Sequence, residues 1–201
     1  MRINLLLCIQ LLLIPFSGMS QSNADNRNFP HNSSIVWRAQ VTAPIGIHLA
    51  GSAEMALLPK LTIHTQAGII SALGFEKESN SPNLGNISTV GFFSVEARRY
   101  LNFYHRHKNK KSIRDFSGNY LALRYFSSTP PFKQSNQSIN FESTNSLQVH
   151  YGFQRAIKKQ LFWGGHIGFA VADAFKENSK NSPVGGFPLL QFGLSFGYTF
   201  K

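Results

Sequence analysis

From Leu190 to Phe200 the even-numbered positions read Leu, Phe, Leu, Phe, Tyr, Phe, and between them lie Gln191, Gly193, Ser195, Gly197 and Thr199. A period of two puts every large residue on one face of a strand and every small or polar one on the other. The alternation recurs upstream. Leu147, Val149, Tyr151 and Phe153 alternate with Gln148, His150, Gly152 and Gln154. Leu161, Trp163, Ile167, Phe169 and Val171 oppose Gly164, His166, Gly168, Ala170 and Ala172, and Leu121, Leu123 and Tyr125 oppose Ala122 and Arg124. Strands are predicted near residues 35–43, 51–58, 61–73, 89–103, 119–127, 146–156, 161–172 and 187–200. Most are close to the roughly 9–11 residues that a tilted membrane-crossing strand needs, and helical periodicity is almost absent.

The connections alternate in length. "LPK" and "IKKQ" are tight, whereas "EKESNSPNLGNIS", "STPPFKQSNQSINFEST" and "KENSKNSPVGG" are long and rich in Ser, Asn, Pro and Gly. Short turns on one side and long loops on the other suit an outer-membrane barrel. Two joints fit less well: "APIGIHLAG" is short for an outer loop, and "YHRHKNKKSIRDFSG" is long for an inner turn. Eight strands is the expected count and ten the alternative.

Alternation alone also fits a soluble sandwich, so the character of the faces decides. A soluble sheet turns charges outward. Here the polar face is mostly Gly, Ser, Thr, Gln and His, suited to a narrow interior, and the Phe-rich face suits lipid. The expected fold is therefore all-β, an antiparallel up-and-down transmembrane β-barrel. Its polar faces would bring Arg38, Glu54, His64, Gln66, Glu96, Arg98, Tyr100, Arg124, His150 and His166 into one lumen. Buried charge is costly unless paired, so these residues are expected to form a network that fills the barrel, with Glu96 and Arg98 as a scaffold ion pair.

The chain has 201 residues and a formal net charge of +11. It opens with "MRINLLLCIQLLLIPFSGMSQS": one Arg, an apolar run, then small residues suited to cleavage before Gln21. That is the layout of a secretory signal peptide over residues 1–20, too short for a spanning helix. Residues 21–33 read as a flexible lead-in, and 34–201 as the barrel. Cleavage would remove Cys8, the only cysteine, and Arg2, leaving +11 less one, or +10. Nucleic acid is an unsuitable partner for an exported basic chain; anionic lipid head groups and lipopolysaccharide phosphates suit it better.

"VEARRYLNFY" followed by a basic turn and "SGNYLAL", the hairpin "HYGFQRAIKKQLFWGGHIG" and the terminal "FGLSFGYTF" resemble the small outer-membrane β-barrel proteins of Gram-negative bacteria, the OmpX-like and OmpA-barrel-like group. The resemblance covers about residues 34–201 and implies location in the bacterial outer membrane. It also implies that Tyr198 and Phe200 form a recognition signal for the barrel-assembly machinery, although Lys201 follows where the usual pattern ends on the aromatic. No peptidoglycan-binding domain is expected after the barrel.

No catalytic or metal motif stands out. His150 and His166 fall on neighbouring strands, but no Ser or Asp is placed to complete a triad. His105 and His107 lie among Arg106, Lys108, Lys110 and Lys111, which would repel a cation, so this segment reads as a solvated basic turn on the periplasmic side. Neither catalysis nor a cofactor is expected. The expected function is structural, adhesive or surface-interacting, with an unidentified ligand conceivable at the long loops. A narrow pore or transport barrel and a soluble lipocalin-like carrier are the alternatives.

Overall fold

A computed structural model describes residues 35–43, 46–75, 82–132, 144–157, 160–172 and 189–200. The expected signal peptide (1–20), the lead-in (21–33) and the long connection at 176–186 lie outside the described residues. The strands are β1 (Val36–Ala43), β2 (Ile47–Leu58), β3 (Leu61–Phe75), β4 (Pro82–Tyr100), β5 (Gly118–Pro131), β6 (Asn145–Ala156), β7 (Leu161–Ala172) and β8 (Leu189–Phe200). Each pairs antiparallel with its sequence neighbour, and β8 returns to pair with β1, from Trp37 opposite Phe200 to Ala43 opposite Leu194. The result is a closed eight-stranded up-and-down barrel. Closure leaves no unpaired strand edge.

Because the strand number is even, β1 begins and β8 ends at the same rim. This terminal rim also carries the turn at 59–60 and the connections from β4 to β5 and from β6 to β7. The opposite ends of the strands form the loop rim.

The faces divide as the alternation predicts. Trp37 (57 % exposed), Ile167 (54 %), Leu194 (63 %) and Phe196 (52 %) point out of the barrel, while Glu54 and Glu96 (both 0 %) point in.

Several boundaries differ from the sequence expectation. β2 starts at Ile47, not residue 51, because Ile47 and Leu49 continue the outward apolar row and Gly46 turns the chain at φ 87°. That left-handed conformation is one that glycine adopts without a Cβ clash. β4 reaches back to Pro82, pairing Phe75 with Pro82 and Leu73 with Ile87, where a long loop was expected. The stretch "PNLGNIS" shows little contrast between alternate positions, so periodicity could not reveal it as strand. β5 likewise runs on to Pro131.

At its other end β4 stops at Tyr100, not residue 103. Asn102 Oδ1 accepts the Asn119 N–H at 2.8 Å and closes the ladder. Phe103–Lys108 then forms a short helix, α1, and Arg114–Phe116 a single 3-10 turn.

Candidate functional site

The lumen is organised around two buried carboxylates. Glu54, on β2, accepts from Arg38 Nη1 at 2.8 Å and Arg98 Nη1 at 3.2 Å through Oε2. Its Oε1 accepts from Thr62 Oγ1 at 2.7 Å and the Tyr100 hydroxyl at 2.8 Å. Glu96, on β4, is held by Arg98 Nε at 2.9 Å and Nη2 at 3.3 Å, and by Arg124 Nη2 at 3.0 Å and Nε at 3.2 Å. His150 Nε2 lies 2.9 Å from Glu96 Oε1, and His64 Nδ1 lies 3.5 Å from Oε2.

Arg98 joins the two clusters, and its guanidinium also sits 4.6 Å from the centre of the Tyr120 ring. Register explains the convergence: His64, Glu96 and Arg124 are consecutive cross-strand partners on β3, β4 and β5. Each carboxylate oxygen has at least two donors or cationic neighbours, which offsets much of the desolvation cost of burying a charge. Removing one donor should be measurable but tolerated. Tyr100→Phe is expected to lower stability by about 1.5 kcal/mol, the lower end for a hydrogen bond to a charged group, read from urea unfolding.

The terminal rim is closed by rings rather than charges. Tyr100 stacks on Phe103 with centroids 4.1 Å apart and an interplanar angle of 15°. Phe116 lies 6.3 Å from Tyr100 and Tyr120 lies 5.6 Å from it, and all four rings are buried. Gly118 leaves the room required: a Cβ there would fall 2.6 Å from the Phe103 ring. Phe103, expected at the end of the fourth strand, and Phe116, from the connection that follows it, supply two of these rings. Lys108, Lys110 and Lys111 are exposed and Arg106 half-buried, but the segment between β4 and β5 carries two aromatic residues inward as a plug. Burial of two large rings drives this, since each removes substantial apolar surface from water.

The plug is pinned through the Asp115 carbonyl, which accepts from Arg38 Nη2 and Gln154 Nε2, both at 2.9 Å. Asp115 and Phe116 adopt φ 52° and 57° to present it. A β-branched residue fits that region poorly. Asp115→Val is accordingly expected to cost about 1–2 kcal/mol and Asp115→Gly much less, measured by the shift in thermal midpoint.

Towards the loop rim the filling gives way to a cavity of about 320 Å³. Arg98, Arg124, Tyr120 and Gln154 are among its inner lining, and it reaches the strand ends at Ala43, Thr144 and Leu189.

The structure places Arg38, Glu54, His64, Gln66, Glu96, Arg98, Tyr100 and His150 in the lumen as buried side chains, with Arg124 and His166 half-buried there. His150 and His166 approach to 5.0 Å between ring centres. Tyr198 and Phe200 lie on the outer face of β8, their rings 5.4 Å apart. Sequence reasoning had not singled out Thr62, Tyr120, Gln154 or Phe162. The inward parity of these four positions was available, but an isolated Phe162 in "QLFWGG" breaks the small-residue pattern. Its ring packs 5.3 Å from the Arg38 guanidinium, so the interior is more aromatic than the alternation implied. Among the described residues, no group of three or more His, Cys, Asp or Glu could hold a metal ion.

No family model matches the chain, and no curated protein matches it. Among solved structures, it is similar to a major outer membrane protein from Thermus thermophilus, at 13 % identity and a TM-score of 0.37, over 83 % of this chain and 100 % of that one.

Proposed function

We propose that this chain is an integral outer-membrane barrel of structural or surface-interacting type, plugged and without catalytic activity. One observation carries the reading: the closed barrel turns most of its large apolar side chains outward and buries its paired carboxylates and guanidinium groups inside. Soluble monomers rarely expose a contiguous apolar patch of more than a few hundred Å². In lipid the arrangement is favourable, because a closed barrel satisfies every ladder hydrogen bond internally. A lipocalin-like carrier would need the opposite arrangement, with charges outside.

In this reading the terminal rim faces the periplasm and the loop rim faces outward, towards lipopolysaccharide. Arg106, Lys108, Lys110 and Lys111 then lie beside the anionic head groups of the inner leaflet, where each basic residue contributes about 1 kcal/mol. The outward rings of Tyr198 and Phe200 on the last strand would be the handle for the barrel-assembly machinery. The resemblance to OmpX-like and OmpA-barrel-like proteins supports the same assignment.

The plug argues for a surface protein over a pore. The four-ring cluster lies at one rim, and Arg98 links the two carboxylates beside it. Purified protein in a planar bilayer is expected to show no conductance above leak. Steady single channels would overturn the plugged reading and favour the narrow-pore alternative.

A further inference from the structure

The cavity towards the loop rim has a chemistry that the scaffold does not explain. Apart from the Tyr120 phenol, every titratable side chain on its described wall is basic: Arg98, Arg124, His48 and His166. The two carboxylates of the network lie behind that wall and are shared among Arg38, Arg98 and Arg124. Among the described residues, two negative charges stand against three guanidinium groups, which leaves one positive charge uncompensated. Arg124 engages Glu96 through Nε and Nη2, and among the described residues Nη1 makes no hydrogen bond.

Two further polar groups on the same wall lack partners among the described residues. Ser94, 1 % exposed, has no hydrogen bond at Oγ, and Gln148, 4 % exposed, has none at Oε1. Gln148 already donates through Nε2 to Ser146 Oγ at 2.9 Å, so its free oxygen calls for a donor. Gln148 is the cross-strand partner of Arg124, and Ser94 is the partner of Phe126, two residues along β5. An unmet buried polar group is costly and therefore informative. Beside them Phe92 and Phe126 stack at 5.6 Å and form an apolar wall.

We propose that this cavity is a binding site for a small hydroxylated aromatic carboxylate. The carboxylate accepts from Arg124 Nη1 and the Ser94 hydroxyl, the ligand hydroxyl donates to Gln148 Oε1, and the ring lies against Phe92 and Phe126. The anion also neutralises the uncompensated guanidinium charge. At about 320 Å³ the space is at the lower end for ligand pockets. This site depends only on the lumen, so it stands apart from the question of what surrounds the barrel.

The test is calorimetric titration of the purified, folded protein in zwitterionic micelles with 3-hydroxybenzoate, benzoate and 3-hydroxybenzamide, each corrected for protein-free micelles. 3-Hydroxybenzoate should bind, and the neutral amide should bind at least about tenfold more weakly, the scale of one lost charged contact. Arg124→Gln should abolish binding. Because that variant disturbs the Glu96 cluster, Ser94→Ala supplies a second reading: it breaks no existing hydrogen bond, yet should weaken binding severalfold. Gln148→Met should erase the preference for 3-hydroxybenzoate over benzoate. Absence of heat above the micelle control, equal binding of the amide, or unchanged affinity in Ser94→Ala would each overturn the proposal.

Discussion

Glu96→Ala is expected to lower the unfolding free energy of the barrel by about 3–5 kcal/mol, the range for removing one partner from a buried ion pair. The reason is the charge left behind. Glu96 accepts from Arg98 and Arg124 and faces His150 and His64, and its side chain is 0 % exposed. Without it, Arg124 has no described carboxylate partner, and the described hydrogen bonds of Arg98 are reduced to those with Glu54 and Gln154. Glu96→Gln keeps the shape but removes the charge, so it separates lost electrostatics from a cavity. Replacing Glu96 and Arg124 together by apolar residues should cost less than the sum of the single changes, because no stranded guanidinium remains. Urea unfolding of protein refolded into vesicles reads the parent, the single variants at Glu96 and Arg124, and the double variant. A loss below about 1 kcal/mol for Glu96→Ala would mean that water enters the lumen and solvates the guanidinium groups.

The second large effect concerns the outside. Leu194 sits at the middle of β8 and is 63 % exposed. On a soluble protein, an exposed Leu→Arg change away from special features is usually worth within about 0.5 kcal/mol. In a bilayer, Arg near the midplane of a barrel's lipid face costs about 2–4 kcal/mol, falling to about 0–1 near the interfaces. Leu194→Arg should therefore be strongly destabilising and Leu190→Arg, nearer the loop rim, only mildly so. The depth gradient is the diagnostic feature, since a water-facing surface has none. Unfolding in vesicles, followed by the shift in the emission of Trp37 and Trp163, measures it. Equal and small costs at both positions would place this face in water.

Much of the architecture was legible because the two faces of each strand meet different surroundings. Where that contrast held, as in β6, β7 and β8, the expected boundaries fall within two residues of the observed ones. Where it failed, sequence reading failed too. The start of β4 at Pro82 carries Asn, Gly and Ser without an alternating contrast, so nothing in the sequence distinguishes it from loop. The lumen residues were legible from parity, since polar side chains on a barrel strand point inward. Their partners were not. Glu96 and Arg98, read as an ion pair along one strand, do bond to each other. However, the link from Arg98 to Glu54 depends on how the strands stagger around the barrel. The plug was the clearest omission. In "NFYHRHKNKKSIRDFSG" the basic residues dominate the composition, whereas the inward packing is made by Phe103 and Phe116, thirteen residues apart in the chain and both gathered around Tyr100.

The proposed function requires that the apolar face meets lipid. It is tested most directly by expressing the full chain in a Gram-negative host, separating outer membranes, and comparing gel mobility with and without boiling. The protein should pellet with the outer membrane and migrate differently when unboiled, because the closed barrel resists detergent. Protein found soluble in the periplasm or medium, with a single mobility, would contradict it.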